Sequence, residues 1–295
     1  MIALDQISQL GIGTSRAASL GSRLSTDQFR AFLDVASAGK VNLIDTADAY
    51  GSGDSERLIR ASVKASGQSF FIITKAGLPY VHTPGWLSPL NQLGKKVKQK
   101  AGGRTNYTAG YLLDSLQKSN KRLGLEAADA FLLHEPGWDD IADCDSWDGL
   151  AKIRKTGLAR YTGVSTNDYR VVEEGIRSGQ VQLVQTSATW NDTGSNTILD
   201  LCQTHGIPVI ANQVLRPYKS LMNQFKANEV AIHQLDGLAD ISLVQLLIAA
   251  VLTGKKVDAV LFGTSDLAHL AHNIDALRYT DKVAASLPTL NQLLT

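Results

Sequence analysis

The stretch VNLIDTADAYGSG, residues 41–53, poses the question that decides the fold. Val41 to Ile44 suit a buried strand, and the run ends on an acid, Asp45. A second carboxylate, Asp48, and a phenol, Tyr50, follow before the chain breaks at Gly51 and Gly53. A surface turn would account for this, with Asp45 capping a helix and Tyr50 packing against a neighbour. An acid closing a buried strand also fits the mouth of an α/β barrel, where functional groups gather at the carboxyl ends of strands.

Working outward, seven more short apolar runs share that character. They are LGIGTS (10–15), FFIITKA (70–76), DAFLLHE (129–135), ARYTGVS (159–165), LVQTSAT (183–189), PVIANQV (208–214) and AVLFGTS (259–265); with VNLIDTA (41–47) they make eight candidate strands. Several are apolar on both faces, as parallel strands covered on each side must be. Helical patterns lie between them. Ser25 and Gln28 form a capping box before Phe29, Phe32, Leu33 and Ala36, and Gly39 ends that helix. Thr108 opens another, with Leu112, Leu113, Leu116 and Leu123 inward and Gly124 closing. Trp147, Leu150 and Ile153 run to Gly157; Val172 and Ile176 run to Gly179; Ile198, Leu201 and Cys202 run to Gly206. Leu243, Leu246, Leu247 and Ala250 precede Gly254, and Leu267, Leu270, Ile274 and Leu277 form the last helix. This alternation predicts an α/β fold, a single-domain (β/α)8 TIM barrel over residues 1–295, with an open doubly wound sheet as the alternative. Two connections, 77–107 and 215–237, are long enough to fold over a ligand at the active-site face. The basic run GKKVKQKAGGR in the first reads as a solvated loop.

Composition narrows the function classes. The chain has 295 residues, 44% of them hydrophobic, and a formal net charge of +1, which gives no push toward nucleic acid or an anionic membrane. Cys144 and Cys202 make no disulfide framework and no metal-spaced motif. The opening MIALDQISQL lacks the basic and apolar regions of a secretory signal, and no apolar run reaches transmembrane length, so a cytoplasmic location is expected. Nothing in the sequence signals an oligomeric state.

The barrel rule gathers Asp45 after the second strand, Lys75 at the end of the third and His134 at the end of the fourth, with Tyr50 in the loop beyond Asp45. Each has a plainer reading: a cap, a snorkelling lysine, a backbone-bonded histidine, a packed ring. Together they make a proton-delivery set. A free phenol titrates near 10, too high for efficient transfer at neutrality. A nearby ammonium is expected to lower that value, with Asp45 keeping Lys75 charged and His134 orienting a carbonyl.

The runs DTADAYG (45–51), ITKAG (73–77) and FLLHEP (131–136), with the later GLARYTGVST and LFGTSDLAHLAHNI, resemble the aldo-keto reductases in order through nearly the whole chain. The resemblance implies an NAD(P)H-dependent oxidoreductase, with Tyr50 as general acid, Lys75 and Asp45 tuning it, and His134 orienting the carbonyl. Hydride would come from the nicotinamide.

A Rossmann phosphate loop is excluded, because Gly11 and Gly13 are followed by Arg16 instead of a third glycine. Gly263, Thr264 and Ser265 instead lie where the eighth strand meets a helix, offering backbone N–H groups to a phosphate; capping by Ser265 is the alternative. By the resemblance, Gly13 and Thr14 line the cofactor site, Ser165 and Gln185 hold the nicotinamide carboxamide, and Asn273 meets the adenine. Three positions depart from the family pattern. Thr166 stands where asparagine is common, Asn212 where an aromatic residue stacks on the nicotinamide, and His269 where a basic residue grips the 2′-phosphate. NADP(H) is favoured by family habit alone, and NAD(H) stays open. Arg216 or a nearby lysine could supply the missing charge. The pair His269 and His272 lacks a further ligand, so no metal is assigned.

The expected substrate is a small aldehyde, ketone or sugar, shaped by Tyr80, Trp86 and Trp190, with packing as the alternative role for these rings. Two other functions compete: a barrel lyase using Lys75 as a Schiff-base nucleophile, and an NADP(H)-binding regulatory or interaction subunit with little turnover.

Overall fold

The computed structural model describes residues 2–17, 24–79, 105–190 and 196–294. Its eight strands are β1 (Leu10–Gly13), β2 (Leu43–Asp45), β3 (Phe71–Ala76), β4 (Ala128–His134), β5 (Ala159–Ser165), β6 (Leu183–Ser187), β7 (Val209–Asn212) and β8 (Ala259–Phe262). They pair in sequence order, all parallel, and β1 pairs with β8 to close the barrel. The (β/α)8 expectation holds, and the open sheet is ruled out.

Alternation along the strands separates two apolar layers. Leu43, Phe71, Ile73, Ala130, Leu132, Leu183, Ile210, Ala259 and Leu261 fill the lumen. Ile12, Ile44, Ile72, Phe131, Leu133, Val164 and Val184 face outward under the helices. At Gly163 of β5 a Cβ would lie 1.9 Å from the Leu183 carbonyl oxygen, so only glycine lets β5 and β6 approach.

The helices begin where the sequence marks them. Ser25 Oγ accepts from the Gln28 N–H while Gln28 Oε1 accepts from the Ser25 N–H, completing the predicted box ahead of Thr26–Ala38. Asp54–Ser66 and Thr280–Leu294 are among the helices that escape the apolar pattern. Asp54–Ser66 buries Ser55, Glu56 and Ser62 around Ile59, a face that hydrophobic periodicity does not register. Thr280–Leu294 contains Pro288, which reads as a break in sequence.

The connection 215–237 is helical instead of irregular. Tyr218–Ala227 and Glu229–His233 pack Phe225 and Ile232 against Leu290 and Leu294, and Asn228 Nδ2 donates to the Leu293 carbonyl at 2.9 Å. Trp190 packs against the same cluster. Of the connection 77–107, residues 80–104 lie outside the described residues, and with them Tyr80 and Trp86. Among the described residues, no helix is long and apolar enough to cross a membrane.

Candidate active site

Period-two alternation explains how polar groups crown the lumen. On β2 the inward Leu43 is followed two residues later by Asp45; on β3, Phe71 and Ile73 lead to Lys75; on β4, Ala130 and Leu132 lead to His134. In the same way Leu183 leads to Gln185 and Ile210 to Asn212. Each strand thus ends its apolar inner face on a polar residue.

These side chains meet. Lys75 Nζ donates to Asp45 Oδ1 and, at 3.0 Å, to the Thr46 carbonyl. Gln185 Nε2 donates to the same Asp45 oxygen at 2.9 Å, and Ser165 Oγ donates to Gln185 Oε1 at 2.6 Å. Tyr50 enters from a tight turn in which Gly51, Ser52 and Gly53 are all left-handed, with φ of 56°, 55° and 86°. At Gly53 a Cβ would lie 2.7 Å from Arg122 Cδ, so the turn needs glycine for space as well as for φ. The Tyr50 ring lies 5.4 Å from Lys75 Nζ and meets the His134 ring edge-on, with centroids 5.6 Å apart and planes at 81°. Asp45, Tyr50, Lys75 and His134 are therefore gathered at one rim.

The electrostatics reverse one expectation. Burial, followed by the carboxylates of Asp45 and Glu135, pushes the Tyr50 phenol well above its ordinary value of 10.0. Sequence reasoning had Lys75 lowering it. The difference is that the ammonium is already committed to Asp45 and the Thr46 carbonyl. Burial draws Lys75 below its ordinary 10.5, and Asp45 opposes that pull. Tyr50 is thus held in its protonated form, and the raised value makes it a weaker proton donor than the lowered one the sequence predicts. Because folding raises this pKa, the stability it contributes is complete below about pH 10 and is lost as pH climbs toward the folded value. A tyrosinate difference titration, wild type against Tyr50→Phe, is expected to show no Tyr50 phenolate below about pH 10. A phenolate forming near pH 8 would restore the lowered value.

The cofactor candidates divide. Thr14 is a brace: its Oγ1 donates to the Asp45 carbonyl at 2.9 Å and accepts from Ser55 Oγ at 2.7 Å. Gly13 and Gly263 face one another across the β1–β8 seam, where a Cβ on Gly263 would sit 3.4 Å from the Gly13 carbonyl. Thr264 and Ser265 follow, but the helix Leu267–Ile274 is capped by Asp266, whose Oδ1 accepts from the His269 N–H at 2.9 Å, and not by Ser265. That bond holds the Asp266 carboxyl below its usual range. His269 is exposed, Asn273 is buried, and His272 Nε2 is hydrogen-bonded with Ser242 Oγ at 2.8 Å. Thr166 Oγ1 donates to the Pro136 carbonyl at 2.7 Å. Asn212 Oδ1 is buried with no hydrogen-bond partner among the described residues, an acceptor awaiting a donor such as a carboxamide N–H. Residues present at the rim therefore fit a nicotinamide.

The Aldo/keto reductase family model matches residues 9–292. The chain belongs to that family. Members of this family are oxidoreductases that act on carbonyls with NAD(P)H. The chain is 24% identical over 218 residues to a D-threo-aldose 1-dehydrogenase of Pseudomonas sp, a match spanning 70% of this chain and 66% of that one, just under two thirds of its length. An NADH-specific methylglyoxal reductase of Escherichia coli is 25% identical over 57% of this chain and 51% of its own. The solved aldo-keto reductase of Klebsiella pneumoniae in complex with NADPH shares the fold, with a TM-score of 0.74 at 21% identity, covering 98% of this chain and 91% of that one.

Within this aldo/keto reductase, some residues carry the site without having been legible. Tyr107 Oη donates to the His134 carbonyl at 2.8 Å, anchoring that strand end. Glu56, fully buried, accepts from Thr74 Oγ1 at 2.7 Å and from Arg122 Nε, tying the helix after Tyr50 to the strand that bears Lys75. Glu135 sits at the mouth, its only signal being a charge directly after a strand-end histidine. A cavity of about 420 Å³ opens there. A larger one, about 900 Å³, lies at the opposite end of the barrel beside Leu4, Tyr161 and Pro208, away from all of these groups.

Proposed function

We propose that the protein interconverts a small carbonyl compound and its alcohol, with Tyr50 supplying the proton to the carbonyl oxygen. What carries this reading is the convergence of a buried Lys75–Asp45 pair, a protonated phenol and an imidazole at the barrel mouth. When bound, the nicotinamide supplies the hydride. Ser165, Gln185 and Asn212 would hold its carboxamide. His134 orients the carbonyl oxygen toward Tyr50, and the Lys75–Asp45 pair fixes the local field. A Schiff-base role for Lys75 gains no support, since the ammonium is 1% exposed and bonded to a carboxylate.

We read NAD(H) ahead of NADP(H), reversing the family habit. No lysine or arginine occurs between Lys256 and Arg278, and Asp266 already occupies the positive end of the helix that would face a 2′-phosphate. A second negative charge there, that of the 2′-phosphate, is repelled. Fluorescence titration is expected to show NADH binding at least about tenfold tighter than NADPH, with Asp266→Arg narrowing the gap by a similar factor. Tighter NADPH binding in the wild type would overturn this preference. Turnover of a carbonyl panel under the preferred nucleotide supports the enzyme; nucleotide binding without any turnover would favour the regulatory-subunit alternative.

A further inference from the structure

Glu135 follows His134 directly, where β4 leaves the barrel. Its backbone is left-handed, φ 54°, a conformation that non-glycine residues keep only where the surroundings impose it. The imposing contact is its own N–H, which donates to the Ser165 carbonyl at 2.8 Å. Gln213, just beyond β7, is also left-handed, φ 56°, and both residues line the same mouth cavity. Hydroxyl and amide groups from Thr166, Asn167 and Asn212 make up much of the rest of that wall.

Among the described residues no lysine or arginine lines this cavity, while two carboxylates do. Asp168 is answered: it accepts from the Trp138 N–H at 2.9 Å and pairs with Arg170. Glu135 has no ion pair among the described residues, and its side chain is exposed to the cavity. Its charge reaches the catalytic groups, for it acts on both Tyr50 and Lys75. Among the described residues, an incoming carbonyl compound therefore meets one uncompensated negative charge set among neutral hydrogen-bonding groups.

We propose that Glu135 is the charge filter of this site: it admits carbonyl compounds bearing hydroxyl or ammonium groups and rejects those bearing a carboxylate. The inference rests on the reductase reading above. Hydroxyls donate to the carboxylate at no electrostatic cost, an ammonium gains by it, and a second carboxylate in the same partly desolvated mouth is repelled. The bond to Ser165 fixes the main chain at Glu135, so its side chain starts from a set point at the cavity wall.

The test compares kcat/KM for glyceraldehyde, butanal and succinic semialdehyde in the wild type and in Glu135→Gln, which keeps the shape and removes the charge. In the wild type glyceraldehyde should be the best of the three and succinic semialdehyde the worst. In Glu135→Gln the ratio of succinic semialdehyde to butanal should rise about tenfold, mostly through KM. Raising the salt concentration should lower KM for the acid in the wild type and not in the variant. Turnover with an unchanged ratio and unchanged salt response overturns the role of Glu135 alone. No turnover of any of the three by folded wild type, with either nucleotide, overturns the reductase reading and this inference with it.

Discussion

Lys75→Met is expected to lose about 3–5 kcal/mol of stability and all measurable reduction. The size follows from burial: the side chains of Lys75 and Asp45 are 1% and 6% exposed. Removing the cation strands a carboxylate in the lumen with, among the described side chains, only Gln185 Nε2 to answer it. The loss belongs to the broken pair and says little about the net worth of the intact one, because bringing both ions out of water was itself costly. The double variant Asp45→Asn/Lys75→Met should therefore recover most of the stability, since no charge is left buried, while remaining inactive. Urea denaturation of the wild type, the single variant and the double variant separates the two effects. A single variant within about 1 kcal/mol of wild type would mean that Asp45 is neutral or hydrated there.

Tyr50→Phe is expected to lower kcat by about 10²–10⁴-fold while leaving nucleotide affinity nearly unchanged. Only a hydroxyl is lost. The ring keeps its edge contact with His134, and the turn that holds it depends on Gly51, Gly53 and Arg122, none of them altered. Steady-state kinetics on one aldehyde, with a nucleotide titration beside it, check both halves. Wild-type turnover in the variant would assign the proton to another donor.

How much of this was written in the sequence depends on the residue. Strand ends were readable because a parallel strand buried on both faces leaves a short apolar run, and the barrel rule then places whatever polar residue closes it. That is why Asp45, Lys75 and His134 could be gathered from separate segments; in the register Lys75 lies opposite Leu132 and His134 opposite Ser165. The helix Asp54–Ser66 was not readable, since its buried face is built from Ser55, Glu56 and Ser62. Capping by Asp266 instead of Ser265 was a one-residue ambiguity, which only the backbone geometry resolves.

The direction of the Tyr50 shift was misjudged for a different reason. Sequence shows which charges are available and hides how deeply each lies and to whom each is bonded. The sequence offers Lys75 as a partner for Tyr50, yet its hydrogen bonds go to Asp45 and Thr46. Glu135, marked only by its place after a strand-end histidine, adds to the burial that holds the phenol protonated.

The most direct measurement mixes the protein, loaded with NADH deuterated at the transferring position, with a hydroxyaldehyde, and follows nicotinamide absorbance in a single turnover between pH 6 and 10. A rate that is flat across that range, slowed by the deuterium and lost in Tyr50→Phe, is the predicted result. A rate that falls steadily above neutrality, or nicotinamide that is never oxidised by any carbonyl offered, would contradict the account.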